Sequence, residues 1–396
     1  MLRERISAAF VFGLTLAASA GLFLYPPLAG TVNAADKSSP AATADWDRAA
    51  AARYLDSRET WWQGWDRAKR DHETICVSCH TQAPYALARP ELQRDLGEKD
   101  APAQEQTILL NISKRVRAWD QMEPFYSDAK SGPGKSVESR NAESVLNAVM
   151  IAFSDARGGH TSDLGRMAFD HAWALQSTSG PTAGAWVWQD FHLAPWESPE
   201  SEYYWAAMMA VAVGREPGSY RTEGGVKDHL AALNNYLRSH YDAQPLLNKL
   251  IVLWASASFP DLLTETRRNA LLGLIYALQR PDGGWSLADL GTWKRVDGTP
   301  IETRPDGCAT GLTALVLEES VNAGQLRGAR ADEHIQRAIA WLKANQDRST
   351  GAWPAWSLNK NRDPNSAAGP FMSDAATGYA VMALEGWHKP KSSDLH

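Results

Sequence analysis

Cys76, Val77, Ser78, Cys79 and His80 follow one another near the start of the chain. Two thiols three positions apart lie on one side of a helical turn. They are spaced to add to the two vinyl groups of one haem, and the imidazole that follows then sits under the iron as proximal ligand. A thioredoxin-like thiol pair and half of a zinc site are the competing chemistries. The first wants a βαβ setting, whereas these surroundings read as helical. The second wants another ligand pair, and Cys308 is the only other cysteine among 396 residues. The run therefore predicts one covalent haem c attached at Cys76 and Cys79, with His80 on the iron.

Neighbouring residue types suit that group. Trp61, Trp62 and Trp65 precede the run and can pack on a porphyrin face; Tyr85 and Leu87 follow it, and Arg89 offers a partner for a propionate. The distal ligand is open between several residues. Met122 lies at a predicted helix end before a loop, a common setting for a distal methionine. His72, His160, His171 and His192 are the alternatives, as is an open position. Met150, Met208, Met209 and Met382 sit in apolar helical runs and read as core filler.

The segment that must position these groups is preceded by an export signal. Arg3 and Arg5 stand before an apolar stretch, Ile6 to Leu24, with small-residue cleavage sites at 18–20 and 32–34. The stretch is long, so an uncleaved membrane anchor competes with a cleaved signal. The expected organisation is a signal or anchor at 1–34, a linker at 35–45, a haem-binding segment at 46–100 and a helical domain at 101–390. The expected location is periplasmic or otherwise exported. Net charge is 40 − 46 = −6 with no basic run, so nothing points to a nucleic-acid partner.

A repeat organises the rest of the chain. Gln176 precedes Trp186, Gln279 precedes Trp285, and Gln346 precedes Trp353. Each Trp is followed by an acid that opens an apolar run: Glu202, Asp306 and Asp374, at 16, 21 and 21 residues. An amphipathic outer helix ends at each Gln, glycine makes the turn, Trp fills the gap between helix pairs, and an apolar inner helix follows. Two further pairs fit without the Trp: 104–119 with 141–153, opened by Glu143, and 226–239 with 244–258. The fold class is all-α, with about five or more helical hairpins that begin to close a ring.

The run Gln279 to Trp285, with Asp282-Gly283-Gly284-Trp285 at its end, resembles the QW repeats of squalene-hopene cyclases, and Gln346 to Trp353 looks like a second copy. The resemblance implies the α/α-toroid shared with protein prenyltransferase β-subunits. It does not extend to their chemistry. Of the cyclases' acid run only Asp306 remains, and beside Arg304 that carboxyl is expected to stay ionised, which does not suit a strong proton donor. Asp306 and Cys308 match half of the prenyltransferase zinc set, but Thr377 stands where its histidine would be. Cys308 then reads as a small buried residue. Glu143, Glu202, Asp306 and Asp374 are the weak catalytic candidates, with helix capping as their structural role. Trp186, Trp188, Trp196, Trp205, Trp353 and Trp356 are candidate walls of a cavity.

Two functions are compatible with these features. One is a redox protein whose haem exchanges electrons with a hydrophobic or isoprenoid-like small molecule held in the toroid. The other is a non-catalytic electron carrier that uses the toroid as a scaffold for a redox partner protein. A deep apolar pocket reaching the haem favours the first, and a plugged toroid favours the second.

Overall fold

A computed structural model describes residues 45–387. The export segment and nearly all of the linker lie outside them. Among the described residues no helix is long and apolar enough to cross a membrane.

Twelve helices form six hairpins: α1 (Arg48–Gly64) and α2 (Gln82–Ala88), α3 (Ala103–Arg117) and α4 (Lys135–Gly158), α5 (Asp163–Leu175) and α6 (Ser201–Arg215), α7 (Gly224–His240) and α8 (Leu246–Ser256), α9 (Glu265–Leu278) and α10 (Gly307–Asn322), α11 (Ala329–Asn345) and α12 (Phe371–Trp387). Odd-numbered helices are outer and even-numbered ones inner. The division follows from side chains. In α10 every residue from Gly307 to Glu318 is buried. In α11 the buried set is Ala331, Ile335, Ala338, Ile339, Trp341 and Leu342, largely the spacing of one helix face. Each inner helix packs on the next, and α12 packs back on α2. The result is a closed all-α ring of six hairpins.

The Gln–Trp repeat is the joint between neighbouring hairpins. Trp186, Trp285 and Trp353 are buried. Their indole N–H groups donate to Ala172 O, Ile275 O and Leu342 O of the outer helix just completed. Gln176 Nε2 donates to Gly184 O and to His229 O on the next outer helix. Gln279 does the same to Gly283 O and His334 O. Gln346 donates to Gly351 O and Asp47 O, and its Oε1 accepts from Asp47 N at 2.7 Å. The third joint therefore lands on the N-cap of α1 and closes the ring. Gly184, Gly283 and Gly351 all have positive φ, and a Cβ on any of them would collide with the next outer helix, at Ala232 O, Arg337 O and Ala50 O respectively.

Two observations depart from the sequence reading, and a third bears on a point it left open. The residues at 46–100, read as a separate haem-binding segment, build the first hairpin of the ring; six hairpins in all fall within the five or more expected. Glu143 does not open its helix: α4 begins at Lys135, more than two turns earlier. The sequence left open whether the ring is plugged, and side chains meet across its centre. Tyr204 on α6 and Tyr379 on α12 stand three hairpins apart, and their hydroxyls meet at 2.5 Å in the buried centre.

Candidate functional site

The run Cys76 to His80 crosses from α1 to α2 in the first hairpin. A two-stranded turn precedes it, β1 (Lys69–Arg70) paired antiparallel with β2 (Thr74–Ile75). His72 and Glu73 take positive φ in the three-residue link 71–73 at its tip, where Thr74 N donates to Asp71 O at 3.0 Å. Asn111 on α3 grips the second strand, accepting from Ile75 N at 2.8 Å and donating to Ile75 O at 3.1 Å. Trp62 on α1 donates its indole N–H to Cys76 O at 2.9 Å. Ser78 Oγ accepts from the N–H groups of Thr81 and Gln82 and so caps α2. The run is thus held from three sides.

His80 has a defined tautomer. Its Nδ1 lies 2.9 Å from Thr81 Oγ1, and Thr81 Oγ1 lies 2.8 Å from Asp374 Oδ2. The other oxygen, Asp374 Oδ1, accepts from Arg58 Nε at 2.7 Å and from Tyr54 OH at 2.8 Å. Burial pushes the Asp374 carboxyl up, and the Arg58 guanidinium opposes that shift. As the carboxylate of this ion pair, Asp374 accepts the one hydrogen bond that the Thr81 hydroxyl can donate. Thr81 Oγ1 must then accept from Nδ1–H of His80, which leaves Nε2 with a free lone pair. Burial, with Arg58 and Arg362 nearby, holds the imidazole down to about 3, so it is neutral at any ordinary pH.

Two chambers adjoin this imidazole. The larger, about 150 Å³, is lined by Trp62, Trp65, Cys76, Cys79, Tyr126 and Trp188 among others. The smaller, about 70 Å³, is lined by Trp196, Arg362, Asn359 and Met372 among others. Cys79, His80, Glu197 and Phe371 border both. Phe371 stacks on His80 with centroids 3.7 Å apart, and Trp62 meets His80 edge-on at 5.1 Å. A third cavity, an outer cleft of about 440 Å³, shares Ser357, Arg362 and Gly369 with the small chamber. Its lining is mixed: Tyr54, Arg295, Glu302, Asp347 and Trp356 contribute.

Cys76, Cys79 and His80 are the residues that would hold a covalent haem, the group their order implies. Both thiols are buried and free, and burial pushes Cys76 up to about 12 and Cys79 well above the usual thiol range. Among the described residues no group of three or more His, Cys, Asp or Glu could hold a metal ion. The lining beside His80 is aromatic. Space is tighter: neither chamber alone reaches the 300 Å³ or so of a typical cofactor pocket. Phe371, which borders both, is the side chain that must turn away to admit a macrocycle.

The other sequence candidates fall as follows. Trp62 and Trp65 line the larger chamber, Trp61 packs on Phe371 at 5.9 Å, and Trp188, Trp196 and Trp356 line cavities. Arg89 is committed to Asp56 and Glu98 and is not free for a propionate. Met122 is buried at the end of a short turn and borders neither chamber, whereas Met372 borders the smaller. His72, His160 and His192 are exposed, and His171 stacks on Trp119.

The four acids do not converge. Glu143 is paired with buried Arg115, and Glu202 accepts from Tyr236 OH at 2.7 Å. Asp306 caps α10 by accepting from Cys308 N and Ala309 N, and it also accepts from Leu287 N. Asp374 serves Thr81 and Arg58. None borders the three cavities. Burial pushes Asp306 up to about 7, against the N–H groups it accepts from, and Arg304 does not pair with it but stacks on Trp356 at 3.9 Å. Cys308 is buried on α10. Sequence reasoning missed Thr81, Glu197, Arg362 and Phe371. Glu197 and Arg362 come from distant loops and Phe371 from the start of α12, and only ring closure brings them to His80.

Fold and site together define an all-α ring with a Cys-x-x-Cys-His run built into its first hairpin. No protein-family model matches the chain, and no curated protein matches it. Solved structures similar to it include a polysaccharide lyase (14% identity, 86% of this chain and 97% of that chain, TM-score 0.48). A possible member of the GH105 family from Salmonella enterica is similar at 10% identity (86% and 94%, TM-score 0.46). A glycosyl hydrolase family 88 protein from Bacteroides vulgatus is similar at 10% identity (87% and 91%, TM-score 0.38). Likeness at this level assigns no activity, substrate or residue role.

Proposed function

We propose that this chain is an exported c-type cytochrome that carries one haem, linked at Cys76 and Cys79 and ligated by His80. When bound, that haem supplies one-electron transfer. The chain's own residues do the rest. Asp374 acts through Thr81 to orient the imidazole and to present Nε2 as a base. Trp62, Trp65, Trp188 and Tyr126 exclude water from the larger chamber. The observation that carries this reading is the His80–Thr81–Asp374 link, which engages Nδ1 of an imidazole that lines the same chamber as both cysteines.

The lining of the outer cleft favours a polar ligand over the hydrophobic or isoprenoid-like one that the toroid suggested. The Tyr204–Tyr379 contact supports a second reading, an electron carrier for a redox partner protein, because it closes the axis a large apolar ligand would need. The test is absorption spectroscopy of protein exported from cells with haem-maturation machinery. A dithionite-reducible haem spectrum, lost in C76A/C79A, is expected. A colourless protein would remove the proposal. Reoxidation of reduced protein by small molecules, or by partner proteins alone, then separates the two readings.

A further inference from the structure

Arg362 stands where the outer cleft meets the small chamber and borders both. The other arginines buried near this mouth each hold a carboxylate: Arg58 holds Asp374 and Arg295 holds Glu302. Arg362 does not. Among the described residues no carboxylate comes within ion-pair distance of it. Its hydrogen bond runs from Nη2 to Asn359 Oδ1 at 3.1 Å. Asn359 is itself fixed, donating from Nδ2 to Ala194 O at 3.2 Å and accepting at its carbonyl from Val296 N at 2.9 Å. Burial penalises the Arg362 charge, and the carboxyl that acts on it, Glu197, sits beyond pairing distance across the small chamber.

A half-buried guanidinium with a fixed orientation and an open side is built for an oxyanion. Its planar fork matches a carboxylate in two parallel hydrogen bonds. We propose that Arg362, held by Asn359, binds a carboxylate group between the outer cleft and the small chamber. Two sources have this chemistry: a small carboxylated molecule arriving through the outer cleft, and a propionate of the haem. The second source rests on the function proposed above; the Arg362 site itself does not.

The full chain, R362Q and R362K are titrated with acetate by calorimetry at fixed ionic strength, and the haem reduction potential of each is measured. A free carboxylate ligand predicts saturable acetate binding that weakens about tenfold or more in R362Q and less in R362K. A propionate predicts no acetate binding by the loaded protein and a lower potential in R362Q, with R362K near the parent. Binding and potential both unchanged in R362Q and R362K would overturn the proposal. If the preparation carries no haem, calorimetry still decides the site: Arg362-dependent binding upholds it while the cytochrome reading falls, and no binding overturns it.

Discussion

Thr81 Oγ1 lies 2.8 Å from Asp374 Oδ2, and this contact joins the first hairpin of the ring to the last. It makes the orientation of His80 a product of ring closure. A helical segment at 46–100 standing alone could not supply it.

T81V tests that relationship. The valine keeps the volume and removes both hydrogen bonds, leaving Asp374 Oδ2 and His80 Nδ1 without their partner. Stability falls by about 1–3 kcal/mol in denaturant titration. Haem attachment through the thioethers persists. The reduction potential rises, because an imidazole without this support is a poorer donor to the oxidised iron. An unchanged potential would detach Asp374 from the site.

Glu143→Ala separates architecture from chemistry. Glu143 and Arg115 are both fully buried, and Arg115 also binds Asp71, Thr74 Oγ1 and Glu123 O. Removing one partner strands a buried charge and costs about 3–5 kcal/mol. The haem spectrum of the folded fraction stays that of the parent protein. A spectral change without loss of stability would return Glu143 to the list of functional residues.

Q346A tests ring closure. Gln346 binds both the backbone N–H and the backbone C=O of Asp47. Its loss costs about 1–3 kcal/mol, and amide exchange quickens in α1 more than in α7 or α9. Equal quickening across all outer helices would mean that this joint has no special place.

Glu59 sets a pH dependence. It is fully buried on α1, accepts from Gln63 and Gln82 through Oε1, and leaves Oε2 unbonded. Burial pushes it up from 4.5 to about 8. Between those values the folded chain keeps a proton that the unfolded chain has released. Stability therefore declines as pH rises from about 4.5 through about 8, by a few kcal/mol in all. E59Q keeps the hydrogen bonds, stays neutral and flattens that slope. Urea titrations at pH 5 and pH 8.5 compare the two proteins.

Much of this was legible before any coordinates. The Gln–Trp spacing marks three joints because each needs the same glycine, the same indole donor and the same amide, and the Cys-x-x-Cys-His run marks the site. The first hairpin was not legible as part of the ring, because α2 is only seven residues long and no Gln–Trp pair announces it. Asp374 was visible as an acid at a helix start, but its task was not: Thr81 lies 293 positions away. Asp306 misled through its neighbour, since sequence adjacency to Arg304 said nothing of where that side chain turns. Glu197 and Arg362 sit in irregular loops with no pattern to read.

In the proposed cytochrome, two thioether bonds and His80 hold a haem in the first hairpin. Intact-mass measurement of the exported protein, before and after Cys76→Ala/Cys79→Ala, tests it most directly. The parent protein is predicted to carry the added mass of one haem that survives denaturation in acid, and the double variant to carry none. A parent mass equal to that of the polypeptide alone would contradict the account.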